Sequence, residues 1–360
     1  MIRLTWRQFR TPAAVAAAVL LAVAALAAVT GPDLAHAYAA TLAACRSAGD
    51  CPSATAAFAR TDSALANALG ALVTFAPAVV GAFWGAPLIA REIEGGTFPL
   101  VWTQSVTRTR WLLVKLAVVG VGSAIVAGLL SLAVTWWARP LDGANAAVYA
   151  TFGERDIAPV GYALFAFALG VTAGMLVRRT VPAMAVTLFA YLTARVCTTY
   201  GLRPRMFAPR HHVLALDPAS TGLGSEVSPS IMLNTWFNGG KSSALDPATP
   251  VMPNAWIYST RVVDANGHDL TDTVLNATCP TIGGHGGGGT PSAPGHVPVA
   301  DAARNAMQAC VSKLGVTYHE LVTYQPASRY WTFQWAEVAV YAGAAVLLGA
   351  ACVWWVRRRA

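Results

Sequence analysis

"LGALVTFAPAVVGAFWGAPLIAREIEGGTFPLVWTQSVTRTRWLLVKLAVVGVGSAIVAGLL" occupies residues 69–130, and its reading decides the fold. Two apolar runs flank a gap that holds Arg91, Glu92 and Glu94, a Gly95-Gly96-Thr97 break, then Arg108 and Arg110. A bilayer core takes roughly 20 consecutive apolar residues in a helix. Each flank supplies them, so the stretch reads as two membrane spans with a charged connection. Working outward, runs of similar length cover 12–30, 69–90, 111–137, 157–177, 181–200 and 335–356. The composition agrees: 12% of the residues are charged, against about 25% in soluble domains, and the mean hydropathy is +0.49. These observations predict an all-α polytopic integral membrane protein with six transmembrane helices.

The basic residues give the orientation. The net charge of +8 is concentrated at the ends of the apolar runs, which excludes a nucleic-acid-binding face and indicates topology. Arg3, Arg7 and Arg10 precede the first span; Arg91, Arg108 and Arg110 lie between the second and third. Arg178 and Arg179 separate the fourth and fifth, and Arg357, Arg358 and Arg359 follow the sixth. The remaining short loops are poorer in basic residues. Positive-inside bias therefore puts both termini and the 91–110 loop in the cytoplasm of a multi-pass cell-membrane protein. The basic start, the apolar run and "AHA" at 35–37 imitate a cleaved secretion signal, but the run exceeds the usual core of about 7–15 residues and reads as an uncleaved helix. Residues 1–11, alternating basic and aromatic, fit either an interfacial helix or a flexible basic stop.

The expected organisation follows. Residues 1–11 form a cytoplasmic segment, 12–200 hold spans one to five, 201–334 an extracytoplasmic α+β domain, 335–356 the last span and 357–360 a tail. Residues 31–68 form an outer loop within the second of these. In the outer domain, 254–275 reads as two strands around an Asn-Gly turn, 283–295 as a glycine-rich linker and 301–315 as an amphipathic helix. Cys45 with Cys51, and Cys279 with Cys310, fall in outer segments where an oxidising compartment permits disulfides, whereas Cys197 and Cys352 lie within spans. Gly120, Gly122 and Gly128 in the third span, and Gly170 and Gly174 in the fourth, have the spacing of close helix–helix approach.

Catalytic motifs fail one by one. Gly240-Lys241-Ser242 ends like a phosphate-binding loop, but Thr235 stands where the leading glycine belongs and Asp246-Pro247 disrupts the following helix. The outer histidines lack metal-ligand spacing, so no metal is expected. No nucleophile–base set stands out, and no enzyme activity is predicted for this chain. Charges inside spans carry more information: Arg195 in the fifth and Glu337 at the start of the sixth both lie near the outer boundary, where they either pair at the mouth of a pathway or reach interfacial water separately. Lys115 is expected to snorkel to the inner boundary.

"AREIEGGTFPLVWTQSVTRTRWLLVKL" (90–116) closely resembles the loop between the second and third spans of type-2 ATP-binding-cassette exporter permeases, especially actinobacterial ones. "WRQFRT" (6–11) and "YQPASRYWTFQWAE" (324–337) are similar to other segments of that group. The resemblance implies that Arg91, Glu92, Glu94, Gly95, Gly96 and Thr97 belong to a coupling helix seated in an ATPase subunit. It also implies that ATP and magnesium are bound by that subunit, with no cofactor on this chain. A second permease copy or a paralogue would complete the pathway in the lipid bilayer. The substrate expected on this resemblance is amphipathic, lipid-like or drug-like. The insertion at 201–334 departs from compact members of the group, and the alternative is a polytopic envelope protein whose outer domain binds a ligand or partner without transport.

Overall fold

The computed structural model describes residues 2–48, 51–95, 107–216, 252, 254–278 and 309–358. Its contacts divide into a membrane unit, Met1–Ala208 with Ser328–Ala360, and a second unit, Pro209–Ala327.

Six helices of the membrane unit are long and apolar enough to cross a bilayer, as the apolar runs predicted. Helix α1 (Ile2–Ala48) is continuous, so no break separates residues 2–11 from the first span. Its start also packs on the membrane unit: the Phe9 ring meets Trp84 edge-on at 4.6 Å. The expected outer loop 31–68 is likewise mostly helix. Alanine-rich α1 runs on to Ala48, and α2 (Cys51–Thr61) turns back from it. The Cys45–Cys51 disulfide clasps that turn. Helix α3 (Ser63–Val80) passes through a π-helical turn, Gly81–Gly85, into α4 (Ala86–Glu94). Then come α5 (Arg108–Asn145), a 3₁₀ turn at Phe152–Glu154, α6 (Ala158–Val177) and α7 (Thr180–Val196). A second π-helical turn (Cys197–Leu202) and a 3₁₀ turn (Arg203–Arg205) extend α7.

The hub is α6, which packs against α3, α4, α5, α7 and the last span. Glycines set how close it comes. A methyl group on Gly170 would lie 2.2 Å from the Gly81 carbonyl oxygen, and one on Gly174 would lie 2.4 Å from the Ala86 carbonyl oxygen. Here backbone rests on backbone, the use that membrane helices make of small residues. Gly120, Gly122 and Gly128 leave ordinary space instead, with their nearest side chains 3.4–4.0 Å away.

The second unit holds a three-stranded antiparallel sheet in the order β1 (Arg210–Ala215), β3 (Tyr318–Gln325), β2 (Trp256–Asp264). Its core joins Leu216, Val262, Leu270, Leu275, Val311 and Leu314. The Asn-Gly turn after β2 forms as expected, with Gly267 at φ +84 and the Asp264 carboxylate accepting from the Asn266 and His268 amides. The expected second strand does not. A single bridge pairs Asp269 with Val263, and the chain then enters helix α8 (Asp272–Thr278), which buries Leu275. Residues 309–314 are helical and end at Gly315, as predicted, while Ala303 and Met307 lie outside the described residues. Cys310 is disulfide-bonded; its expected partner, Cys279, lies outside the described residues, as does the linker 283–295. The unit is narrower than the expected 201–334, because both margins of that segment pack with the spans. The last helix, α9 (Tyr330–Arg358), completes the membrane unit.

Candidate functional site

Two constellations of charged side chains sit in the membrane unit, joined by α7. The first surrounds the end of α4. Along this amphipathic helix Arg91 and Glu94 are exposed, whereas Glu92 is half-buried. Glu92 forms an ion pair with Lys115 of α5, and Lys115 lies 4.4 Å from the centre of the Trp111 ring. Lys115 is 2% exposed, so it does not snorkel: a carboxylate within reach replaces the water it would otherwise seek. Glu94 accepts two hydrogen bonds from Thr180, at 3.1 Å from the amide and 2.7 Å from the hydroxyl. It therefore caps the first turn of α7, where free amides and the helix dipole favour an anion. Gly95 closes α4 by donating its amide to the Arg91 carbonyl at 2.9 Å. Gly96 and Thr97 lie outside the described residues. Of the charged members of the coupling set, Glu92 is ion-paired, while Arg91 and Glu94 are exposed and form no ion pair among the described residues. Glu94 is held by Thr180, and Arg91 has no side-chain hydrogen bond there.

The second constellation gathers the two charges inside spans, Arg195 and Glu337, and adds a third. Glu337 of α9 is 0% exposed. Arg203 grips it bidentately, at 2.8 Å to Oε2 and 2.9 Å to Oε1. Arg195 donates to Oε1 at 3.2 Å, and the Tyr162 hydroxyl donates to the same oxygen at 2.6 Å. The arginines also stack on rings, Arg195 at 3.7 Å from the centre of Tyr162 and Arg203 at 4.3 Å from that of Phe152. Gly153 makes room: a methyl group there would lie 2.7 Å from Nη2 of Arg195. So Arg195 and Glu337 pair directly rather than reaching water separately, and spans four, five and six meet at their carboxylate. Arg203 lies eight residues beyond Arg195, outside the expected fifth span. The π-helical turn between them brings it back onto the face of Arg195. Tyr162 gave no signal, since a tyrosine in an apolar run reads as packing.

Around these two sites lie supporting charges. Arg155 is 4% exposed and pairs with Asp142 at 3.0 Å. Glu154 leans into the space left by Gly70, and burial pushes its carboxyl above the usual range. Between α1, α3 and α5 a cavity of about 310 Å³ is lined in part by Asp33, Asp62 and Trp137. Among the described residues, no group of three or more His, Cys, Asp or Glu side chains could hold a metal.

With this geometry in view, comparison with known protein families matches residues 17–203 to the family described as "ABC-2 membrane transporter related". The match covers more than half of the chain. The chain belongs to that family. No curated protein and no solved structure matches it. As an ABC-2 permease, it is a multi-pass membrane-transport component, and the matched segment takes in α4, its anchors on α5 and α7, and both arginines of the second constellation. Glu337 lies beyond the match, in the last span.

Proposed function

We propose that this permease is the membrane subunit of an ATP-driven exporter in the cell membrane. A separate cassette ATPase binds ATP and magnesium and seats the end of α4. The termini and that end of the bundle face the cytoplasm. A second copy or a paralogue completes the pathway, and the cargo is amphipathic, lipid-like or drug-like.

The observation that supports this reading best is the double anchoring of α4. A helix that receives a push must pass it on, and its rigid links decide where the push goes. Glu92 ties α4 to the third span and Glu94 ties it to the fifth, while its backbone rests on the fourth through Gly174 and Ala86. A displacement applied at Arg91 would thus reach three spans together, as switching between two packed states of a bundle requires. The internal use of Glu92 and Glu94 leaves Arg91 as the cleanest point of attack. The test is to co-express the permease with cassette ATPases of its own genome, co-purify the one it retains, and reverse that charge with Arg91→Glu. We expect at least a tenfold loss of co-purification or of permease-stimulated hydrolysis, with the thermal midpoint of the permease unchanged. If the charge-reversed permease keeps its partner and its stimulation, the coupling role of this helix is wrong.

A further inference from the structure

The constellation around Glu337 does not balance. It holds two guanidinium groups and one carboxylate, and among the described residues neither Arg195 nor Arg203 forms an ion pair with any other acid. Arg203 uses its fork on Glu337. Arg195 contributes one longer bond through Nη1, and its Nε and Nη2 have no acceptor among the described residues. Two largely buried cations sharing one carboxylate remain under-compensated, and a further anion would offset that cost.

A second observation points to the same place. Tyr191 lies one turn before Arg195 on the same face of α7, is 1% exposed, and its hydroxyl has no hydrogen-bond partner among the described residues. A buried hydroxyl without a partner is uncommon in a folded protein and calls for an explanation. Tyr191 stands within electrostatic reach of Arg195, Tyr341 and Glu337, and Tyr341 reaches the neighbouring turn of α7 through the Ala194 carbonyl at 3.4 Å. One turn of α7 therefore carries a guanidinium with unused donors and a hydroxyl without a partner among the described residues. Arg195 is not fully enclosed, since its side chain keeps 15% of its exposure. A guanidinium edge beside a hydroxyl suits a tetrahedral oxyanion, whose oxygens accept from both at once.

We propose that Arg195 and Tyr191 form a binding site for a phosphate group, presented on a lipid headgroup or free in solution, at the end of the bundle opposite Glu94. Arg203 and Glu337 hold Arg195 in place and do not themselves touch the anion. This site stands apart from the coupling of α4 to a motor, and a chain without any ATPase partner would still carry it.

The experiment uses the full chain in phosphatidylcholine nanodiscs and reads the thermal midpoint in two arms. One arm adds phosphatidylglycerol to the bilayer, and the other adds inorganic phosphate to the buffer. At least one raises the midpoint of the wild type, and which of them does so tells a headgroup from a free anion. Tyr191→Phe keeps the ring, so it folds with an unchanged midpoint in phosphatidylcholine alone, yet its anion titration shifts to about fivefold higher concentration, one hydrogen bond's worth. Arg195→Lys keeps the charge, loses the fork and shifts the titration further. If neither arm stabilises the wild type, or if the Tyr191→Phe titration superimposes on that of the wild type, the site does not exist. Tyr191→Phe decides the question by itself, so a misfolded Arg195→Lys protein does not weaken the test.

Discussion

At the scale of single residues, the membrane unit is organised by what a low-dielectric setting does to unlike neighbours. Arg195 and Glu337 were legible in the sequence because a charge inside an apolar run is costly and so needs a reason. Arg203 was not, because it follows the run, where an arginine is ordinary; only the turn at Cys197–Leu202 carries it to Glu337. The same blindness applied at the other end of α7. Glu94 read as a partner-facing charge, since nothing local to it announces Thr180, which is 86 positions away. The geometry makes Glu337 the most exposed to mutation of these groups, although it is the least exposed to solvent. Glu337→Gln keeps the shape but leaves two guanidinium groups around a neutral amide. Removing one partner of a buried pair typically costs about 3–5 kcal/mol, and we expect a loss of that size in the free energy of unfolding in detergent. Adding Arg203→Gln to that variant should recover part of it, because the second change removes one of the orphaned charges. An additive double variant would mean that Arg203 and Glu337 do not interact.

At the scale of elements, the contact that matters is the one between the π-helical turn Gly81–Gly85 and α6. π-helical turns within α-helices are frequent at functional positions, and this one stands immediately before the helix that carries Arg91. The sequence displayed the glycines of the fourth span but not their partners: Gly81 and Gly85 in "GAFWGAP" have the same four-residue spacing, yet such spacing does not say which helix it meets. Nor did spacing distinguish the glycines that meet backbone from those of the third span, which meet side chains at ordinary distance; both sets look alike in one dimension. Alanine substitution separates them physically. Gly170→Ala would put a methyl group 2.2 Å from the Gly81 carbonyl oxygen and 2.9 Å from the Ala86 amide, and neither backbone atom can rotate away. We expect a cost at the top of the roughly 1–3 kcal/mol range for overpacking, or above it. Gly343→Ala in α9 meets nothing within 4 Å and sits mid-helix. It should be neutral or stabilise by about 0.5–1 kcal/mol, the backbone entropy that a helical glycine forfeits. Parallel melting curves of the two variants and the wild type in one detergent check both signs; equal behaviour would mean that α6 does not press on the π-helical turn.

At the scale of the whole molecule, six spans could be counted from hydropathy alone, but the inserted unit could not be drawn. Its strands β1 and β3 carry polar residues on both faces and pair across more than a hundred positions, Arg210 with Tyr324 and Ala215 with His319. No local alternation announces such a sheet, and the residues that do look like a hairpin supply only one of its strands. The margins of the insertion were equally hidden, although their packing defines where the membrane unit closes. The Arg329 guanidinium donates to the Ala208 carbonyl at 2.7 Å, and the Phe207 ring meets Phe333 edge-on at 4.8 Å. The chain thus leaves the membrane unit and re-enters it at nearly the same point, the arrangement in which inserted domains are tolerated. A variant in which a short Gly-Ser linker joins Ala208 to Ser328 should therefore insert, and its thermal midpoint should stay within a few degrees of that of the full chain. The ion pairs of Glu337 with Arg195 and Arg203 and its hydrogen bond from Tyr162 lie within the retained unit and supply the reason, since they close spans four, five and six without help from residues 209–327. If this variant aggregates while the full chain is monodisperse in the same detergent, the inserted unit is part of the fold of the bundle and not an addition to it.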